Sequence, residues 1–305
     1  MKKLQVTFDG ITDTTGYLFS LAKCFAAALN SGSYKEYAED IIAASGFAFR
    51  MWADKKELCP SATSIWEFKK QKEWFENSGL LCGYAERLWG EDAVQEERRL
   101  AAIELIKKTI QQGTAAIAWD ISGCEWGLIT GYDDDSHSLS TLKINGQEDS
   151  IAYEKLGLLE IPILSVLTVS GKEPKETAQI ISDTKKLAAA HLTGKEWCDS
   201  DNTIGLAAYD TIIAFIKETL SADTAWNLEY YLGTYAALKW YAWKFFEKYN
   251  EPALSKLYKT VYEAWQNAFH LKRAQDVTEQ AAKTELVALL SAAKDAEEKA
   301  AELMR

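Results

Sequence analysis

Cysteine and histidine set the limits of the chemistry this sequence can perform. Cys24, Cys59, Cys82, Cys124 and Cys198 are odd in number, widely spaced and never in a C-x-x-C pair. Neither a disulfide framework nor a zinc knuckle is indicated. His137, His191 and His270 fall in three separate segments without H-x-x-x-H or H-E-x-x-H spacing, so no metal site is expected. Two thiols remain as candidate nucleophiles. Cys59 stands before Pro60 and a helix predicted from about 61 to 77, whose N-terminus would favour a thiolate, with His137 as the base available to it. Cys24 falls inside an apolar helical run beside Leu21 and Phe25, where cysteine behaves as a small buried hydrophobe. Asp133, Asp134 and Asp135 lack the alternating ligands, central Gly and final Glu of a calcium loop and read as a solvated turn. Gly10, Gly16 and Gly32 are scattered, so no phosphate loop and no cofactor are expected.

The other candidates are aromatic. The chain holds 11 Trp, 14 Tyr and 11 Phe. Trp226, Tyr230, Tyr231, Tyr235, Trp240, Tyr241, Trp243, Phe245 and Phe246 crowd one helical stretch on too many faces for a single stripe. Two readings are open: a central helix buried all round, or rings that line a ligand cleft against the first domain. In the second reading Tyr17, Arg50, Trp119, Glu125, Trp126 and Tyr235 are the ligand-binding candidates. Arg50 interrupts an apolar stretch at 47–52. It reads either as a structural ion pair with a carboxylate such as Asp120 or as an anchor for an acidic ligand.

Composition removes other classes. The 305 residues carry 34 basic and 45 acidic side chains, a net charge of -11, which a phosphate backbone would repel, so no nucleic-acid partner is expected. No apolar run approaches the roughly 20 residues that cross a bilayer, and the start MKKLQVTFDG has no apolar core of a secretory signal. A cytoplasmic protein with reduced thiols and no membrane partner is expected.

Hydrophobic periodicity supplies the elements that would position these residues. Residues 3–8 alternate like a strand, and Asp13 reads as the N-cap of a helix through Tyr17, Leu21, Phe25 and Leu29. A second helix is predicted over 34–45, an extended piece at 47–52 and a helix at 91–112 with Leu100, Ile103, Ile106 and Ile110 inside. Strands follow at 80–89, 114–119, 126–132, 139–144 and 161–169. Pro162 near the start of the last suggests an edge or entry position. The stretch GKEP at 171–174 reads as the domain boundary, giving domains 1–171 and 172–305. No strand is predicted beyond it, only helices near 175–192, 203–220, 224–249, 252–272 and 275–303. The fold class is α+β: an N-terminal domain with a small antiparallel sheet, then an all-α helical domain.

The order of elements and the segment EWGLITGYDD at 125–134 resemble papain-like folds. The nearest types are the peptidase domains of bacteriocin exporters and the N-terminal domain of butirosin-biosynthesis acyltransferases, which carry a helical extension. The resemblance implies a nucleophilic cysteine at the start of the first long helix, a histidine heading the hairpin strand and an Asp or Asn on the next strand. Here the first stretch reads Asp13-Thr14-Thr15-Gly16-Tyr17-Leu18, the histidine position holds Glu125 or Cys124, and the third member is at best Asn145. A triad without a base that titrates near neutrality does not work. The expectation is a catalytically degenerate papain-like domain followed by a helical bundle, binding a small molecule or protein partner. The alternatives are a cysteine-dependent acyl or amide transferase or hydrolase, and a homodimeric assembly protein.

Overall fold

The computed structural model describes residues 1–63, 67–196 and 201–305. The fold is mixed α and β. By contact density the chain divides into two compact units. The first comprises Met1–Thr12, Ser20–Ile41 and Phe68–Glu176. The second comprises Asp13–Phe19, Ile42–Glu67 and Thr177–Arg305. One cut near the GKEP stretch therefore does not describe the division, because two early segments belong with the later helices.

A seven-stranded antiparallel sheet organises the first unit. Its strands are β1 (Lys2–Lys3), β3 (Leu80–Arg87), β4 (Ala116–Ala118), β5 (Gly127–Asp133), β6 (Ser138–Leu142), β7 (Glu148–Ala152) and β8 (Leu164–Lys172). The order is β3-β8-β4-β5-β6-β7, with β1 also pairing β5. Ile117 stands opposite Leu128 and Leu167, while Ala118 stands opposite Gly127 and Val166. Ile117, Leu128, Leu167, Ala118 and Val166 are all buried, so both faces of the central strands are covered. Helix α4 (Gln95–Gln111) lays Ile103, Ile106 and Ile110 on one face, against Ala116, Ile129 and Val166. Helix α1 (Ser20–Asn30), rich in alanine and buried nearly all round, packs on β4 and β5.

Several local expectations change. Leu100 is exposed, because the buried stripe of α4 runs through Ala102 and Ile103 instead. Of the two positions expected from Pro162, β8 takes the entry one: it is a central strand, and Pro162 precedes its first residue and removes no ladder bond. β7 escapes prediction since EDSIA is an exposed edge with no apolar alternation. The helix expected at 34–45 is a 3-10 turn, Lys35–Tyr37, and a single turn α2 (Ile41–Ala44). The helix expected at 61–77 is a 3-10 turn, Pro60–Thr63, and then α3 (Lys70–Glu76); residues 64–66 lie outside the described ones.

The second unit is helical: α5 (Thr177–Leu192), α6 (Leu206–Glu218), α7 (Ala225–Lys248), α8 (Pro252–Ala274) and α9 (Gln280–Leu303). α8 packs along both α7 and α9, and α5 and α6 pack on α9. One strand does occur after the GKEP stretch, β9 (Thr203–Ile204), paired with β2 (Trp52–Ala53). The extended piece at 47–52 is strand only at its end.

Two of the crowded aromatics of α7, Tyr231 and Tyr235, belong to a polar ladder. At intervals of one turn, Asn227 Nδ2 donates to the Glu57 carbonyl at 2.8 Å and Tyr231 OH to the Cys59 carbonyl at 3.0 Å. Tyr235 OH donates to the Trp52 carbonyl at 2.5 Å, and Lys239 Nζ to the Phe49 carbonyl at 3.4 Å. The two tyrosine hydroxyls also accept from the Asp54 and Trp52 N–H groups. Side chains four apart share one helix face, so a single stripe of α7 satisfies the backbone of an otherwise irregular buried segment.

Candidate functional site

The residues of greatest chemical interest in the sheet-bearing unit meet where α1 begins and β5 is entered. Sequence reasoning started the first helix too early. Gly16 has a φ of +85°, and Asp13 Oδ1 accepts from the N–H groups of Thr15, Gly16 and Leu18, so Asp13 closes a loop. The helix begins at Ser20. Its buried hydroxyl donates to Glu125 Oε2 and accepts from the Trp126 N–H at 3.3 Å. Glu125 stands two residues before β5 and is half-buried.

The loop that delivers Glu125 is built around Asp120. This residue has a φ of +63°, a conformation that Asp tolerates better than most side chains. Its buried carboxylate accepts from the Cys124 N–H at 2.7 Å and the Ile161 N–H at 2.6 Å. Ser122 Oγ accepts from the Ile144 N–H at 3.0 Å, and the Ser122 N–H bonds the Glu125 carbonyl. A side chain at Gly127 would run into Ile121 and Ser122, so glycine there lets the loop fold back on the strand. Phe68, Trp119 and Trp126 pack beside it, with centroid separations of 5.3–5.6 Å.

A hydroxyl bonded to a carboxylate is a weak nucleophilic dyad. A glutamate is too poor a base to take a serine proton near neutrality, and imidazole, the group suited to that task, is engaged elsewhere. His137 is exposed on the β5–β6 turn against Tyr153, and His270 bonds Gln266. His191 is buried in the helical unit. Asn145 is exposed and accepts from the Gln147 N–H in its own turn.

The thiols are placed no better. Cys24 is fully buried in α1, and burial pushes its pKa far up. Burial and the neighbouring Glu160 carboxylate also raise Cys124. Cys59 is exposed, with Sγ 3.0 Å from Ser61 Oγ, and it heads a 3-10 turn instead of a long helix. It belongs to the helical unit, whereas His137 belongs to the sheet-bearing one. Among the described residues, no group of three or more His, Cys, Asp and Glu side chains is arranged to hold a metal ion. Cys198 lies outside the described residues.

The remaining binding candidates are occupied within the helical unit. Tyr17 OH donates to Glu229 at 3.0 Å, its ring meets Tyr230 and Phe269 edge-on, and a side chain at Gly233 would collide with it. The hydroxyl of Tyr235 is used by Trp52. Arg50 pairs with Glu196, not Asp120: Nη2 lies 2.6 Å from Oε1, and Nη1 donates to the Ser45 carbonyl. Glu196 also accepts from His191 Nδ1 at 2.7 Å, while the Met51 N–H donates to His191 Nε2. Burial opposes ionisation of Glu196, yet Arg50 and His191 hold its carboxyl down to about 2. Burial likewise holds His191 below its usual value.

Sequence reasoning missed Ser20, Gln71 and the buried Lys239–Glu297 pair. A serine directly before the run Leu21-Ala22-Lys23-Cys24-Phe25 was the available signal for the first. The chain matches no protein-family model and no curated protein. Among the described residues no helix is long and apolar enough to cross a membrane.

Proposed function

We propose that the sheet-bearing unit is a papain-like fold without its chemistry, followed by a helical bundle, and that the chain is a non-catalytic binding protein for a small molecule or a protein partner. One observation carries this reading. Ser20 at the start of the first α-helix touches Glu125 at the head of the hairpin strand, the two places where such folds bring a cysteine against a histidine. A serine and a glutamate in contact where a thiol and an imidazole are expected fit a retained scaffold that lacks the base its chemistry needs. The burial of Cys24 and Cys82 and the placement of His191 and His270 in the helical unit agree with it.

Hydrolysis of p-nitrophenyl acetate by the whole chain tests the proposal. Turnover is expected to match that of Ser20→Ala and Cys59→Ser variants, at the level of unspecific surface reaction. A Ser20- or Cys59-dependent burst of p-nitrophenol overturns it in favour of an acyl-transferring enzyme.

A further inference from the structure

Three buried residues of the sheet-bearing unit carry polar atoms that meet no hydrogen-bond partner among the described residues. They are Gln71, at both Oε1 and Nε2, and Trp119 and Trp126, at Nε1. Gln71 and Trp126 are fully buried, and Trp119 is 8% exposed. Phe68 links the three: its ring packs on both indoles, and it precedes Gln71 by one helical turn. The Gln71 N–H bonds the Phe68 carbonyl at 3.1 Å, so the two side chains leave the same side of a helical turn.

Gln71 is the more telling residue. Trp74 and Phe75, the next buried positions of α3, are apolar, and a leucine would fill position 71 without an unmet amide. Each indole N–H can gain partial relief from a neighbouring ring face, but a primary amide has a donor and an acceptor that both need partners.

We infer that Gln71, Trp119 and Trp126 recognise a small, uncharged, planar molecule that presents a donor beside an acceptor: a carboxamide, lactam or nucleobase edge. The Gln71 amide matches such an edge with two parallel hydrogen bonds, as glutamine does on adenine. The indole N–H groups only donate, so they take the ligand's carbonyl or ring nitrogen. The aromatic cluster offers faces for stacking. None of the three side chains carries charge, so an ionised ligand would enter this neighbourhood uncompensated by them. The inference rests on the binding role proposed above and gives it a ligand class.

The test reads the indole N–H resonances of the ¹⁵N-labelled chain, which has 11 Trp, with the two peaks assigned by Trp119→Phe and Trp126→Phe. Nicotinamide and uracil are the probes, and benzoate is the charged control of similar size. Saturable shifts of both peaks with a probe but not with benzoate are expected, and Gln71→Leu should weaken them at least about tenfold. Silence of both peaks up to about 10 mM probe, or equal shifts with benzoate, overturns the inference. Should Gln71→Leu fail to fold, the wild-type shifts and their selectivity over benzoate still decide. The readout is independent of ester turnover, so failure here leaves the non-catalytic reading standing, and a Ser20-dependent burst leaves the indole result interpretable.

Discussion

The two units treat their buried charges differently. In the sheet-bearing unit the backbone answers them: Asp120 accepts two N–H groups, and Arg87 donates to the carbonyls of Gly157 and Pro162. In the helical unit charged side chains answer one another. Lys239 lies 2.6 Å from Glu297 with both side chains fully buried, and Tyr209 OH, itself bonded by the Trp265 indole, donates to the same carboxylate. Arg50, Glu196 and His191 form the second such network. Strands and loops bring free backbone groups to a charge, whereas the middle of a helix has none to offer. The helical interior therefore pairs its charges mainly with side chains, Arg50 and Lys239 each also reaching one backbone carbonyl, and losing one partner strands the other.

The largest effect should come from breaking Lys239–Glu297. Lys239→Met or Glu297→Leu alone is expected to cost about 3–5 kcal/mol in urea unfolding, while the double substitution recovers most of that loss. Singles as stable as the wild type would erase the distinction between the units. Acid should act next, on the Arg50–Glu196–His191 network. The His191 pKa is depressed from 6.5, so the folded state resists a proton that the unfolded chain accepts, and stability falls as pH drops below 6.5. Glu196 falls from 4.5 to about 2, so its contribution is present above pH 4.5 and is lost as pH drops toward 2. The Glu196 part amounts to about 3 kcal/mol, and unfolding free energies across this range should flatten in Glu196→Gln.

Backbone-answered charge should be more forgiving. Asp120→Asn keeps an acceptor for one N–H and loses the other, an expected cost of about 1–3 kcal/mol by the same measurement. A loss as large as that of Lys239→Met would contradict the comparison. Ser20→Ala should be smallest, about 1 kcal/mol, because Glu125 remains half-buried and partly hydrated.

Much of the helical unit was legible because its helices are long and their stripes regular. The runs expected at 224–249 and 252–272 are α7 and α8 within a residue or two. The hairpin of β5 and β6 was also legible, from alternation closed by an acidic turn. What escaped depends on partners far away in sequence. Segment 47–52 looks extended from its apolar residues, but its course, and that of the chain on to Cys59, is set by α7, whose donors reach it across 170 to 190 residues. Ser20 is hidden in the sequence because Asp13 satisfies the capping pattern before the apolar run while folding its own loop. For Arg50 the sequence leaves an ion pair and an acidic-ligand anchor both open; a pair forms with Glu196, and which carboxylate arrives is a tertiary outcome.

The ladder on α7 also has a consequence for how the chain is made. Phe47, Phe49, Met51 and Trp52 leave the ribosome long before the donors that will hold them. At about 5–20 residues per second, that gap lasts roughly ten to forty seconds. During this interval an apolar segment that ends at most 3% exposed has no native shelter. The helical unit therefore completes only after nearly the whole chain has been synthesised, and nascent chains are where holding chaperones should be found on this protein.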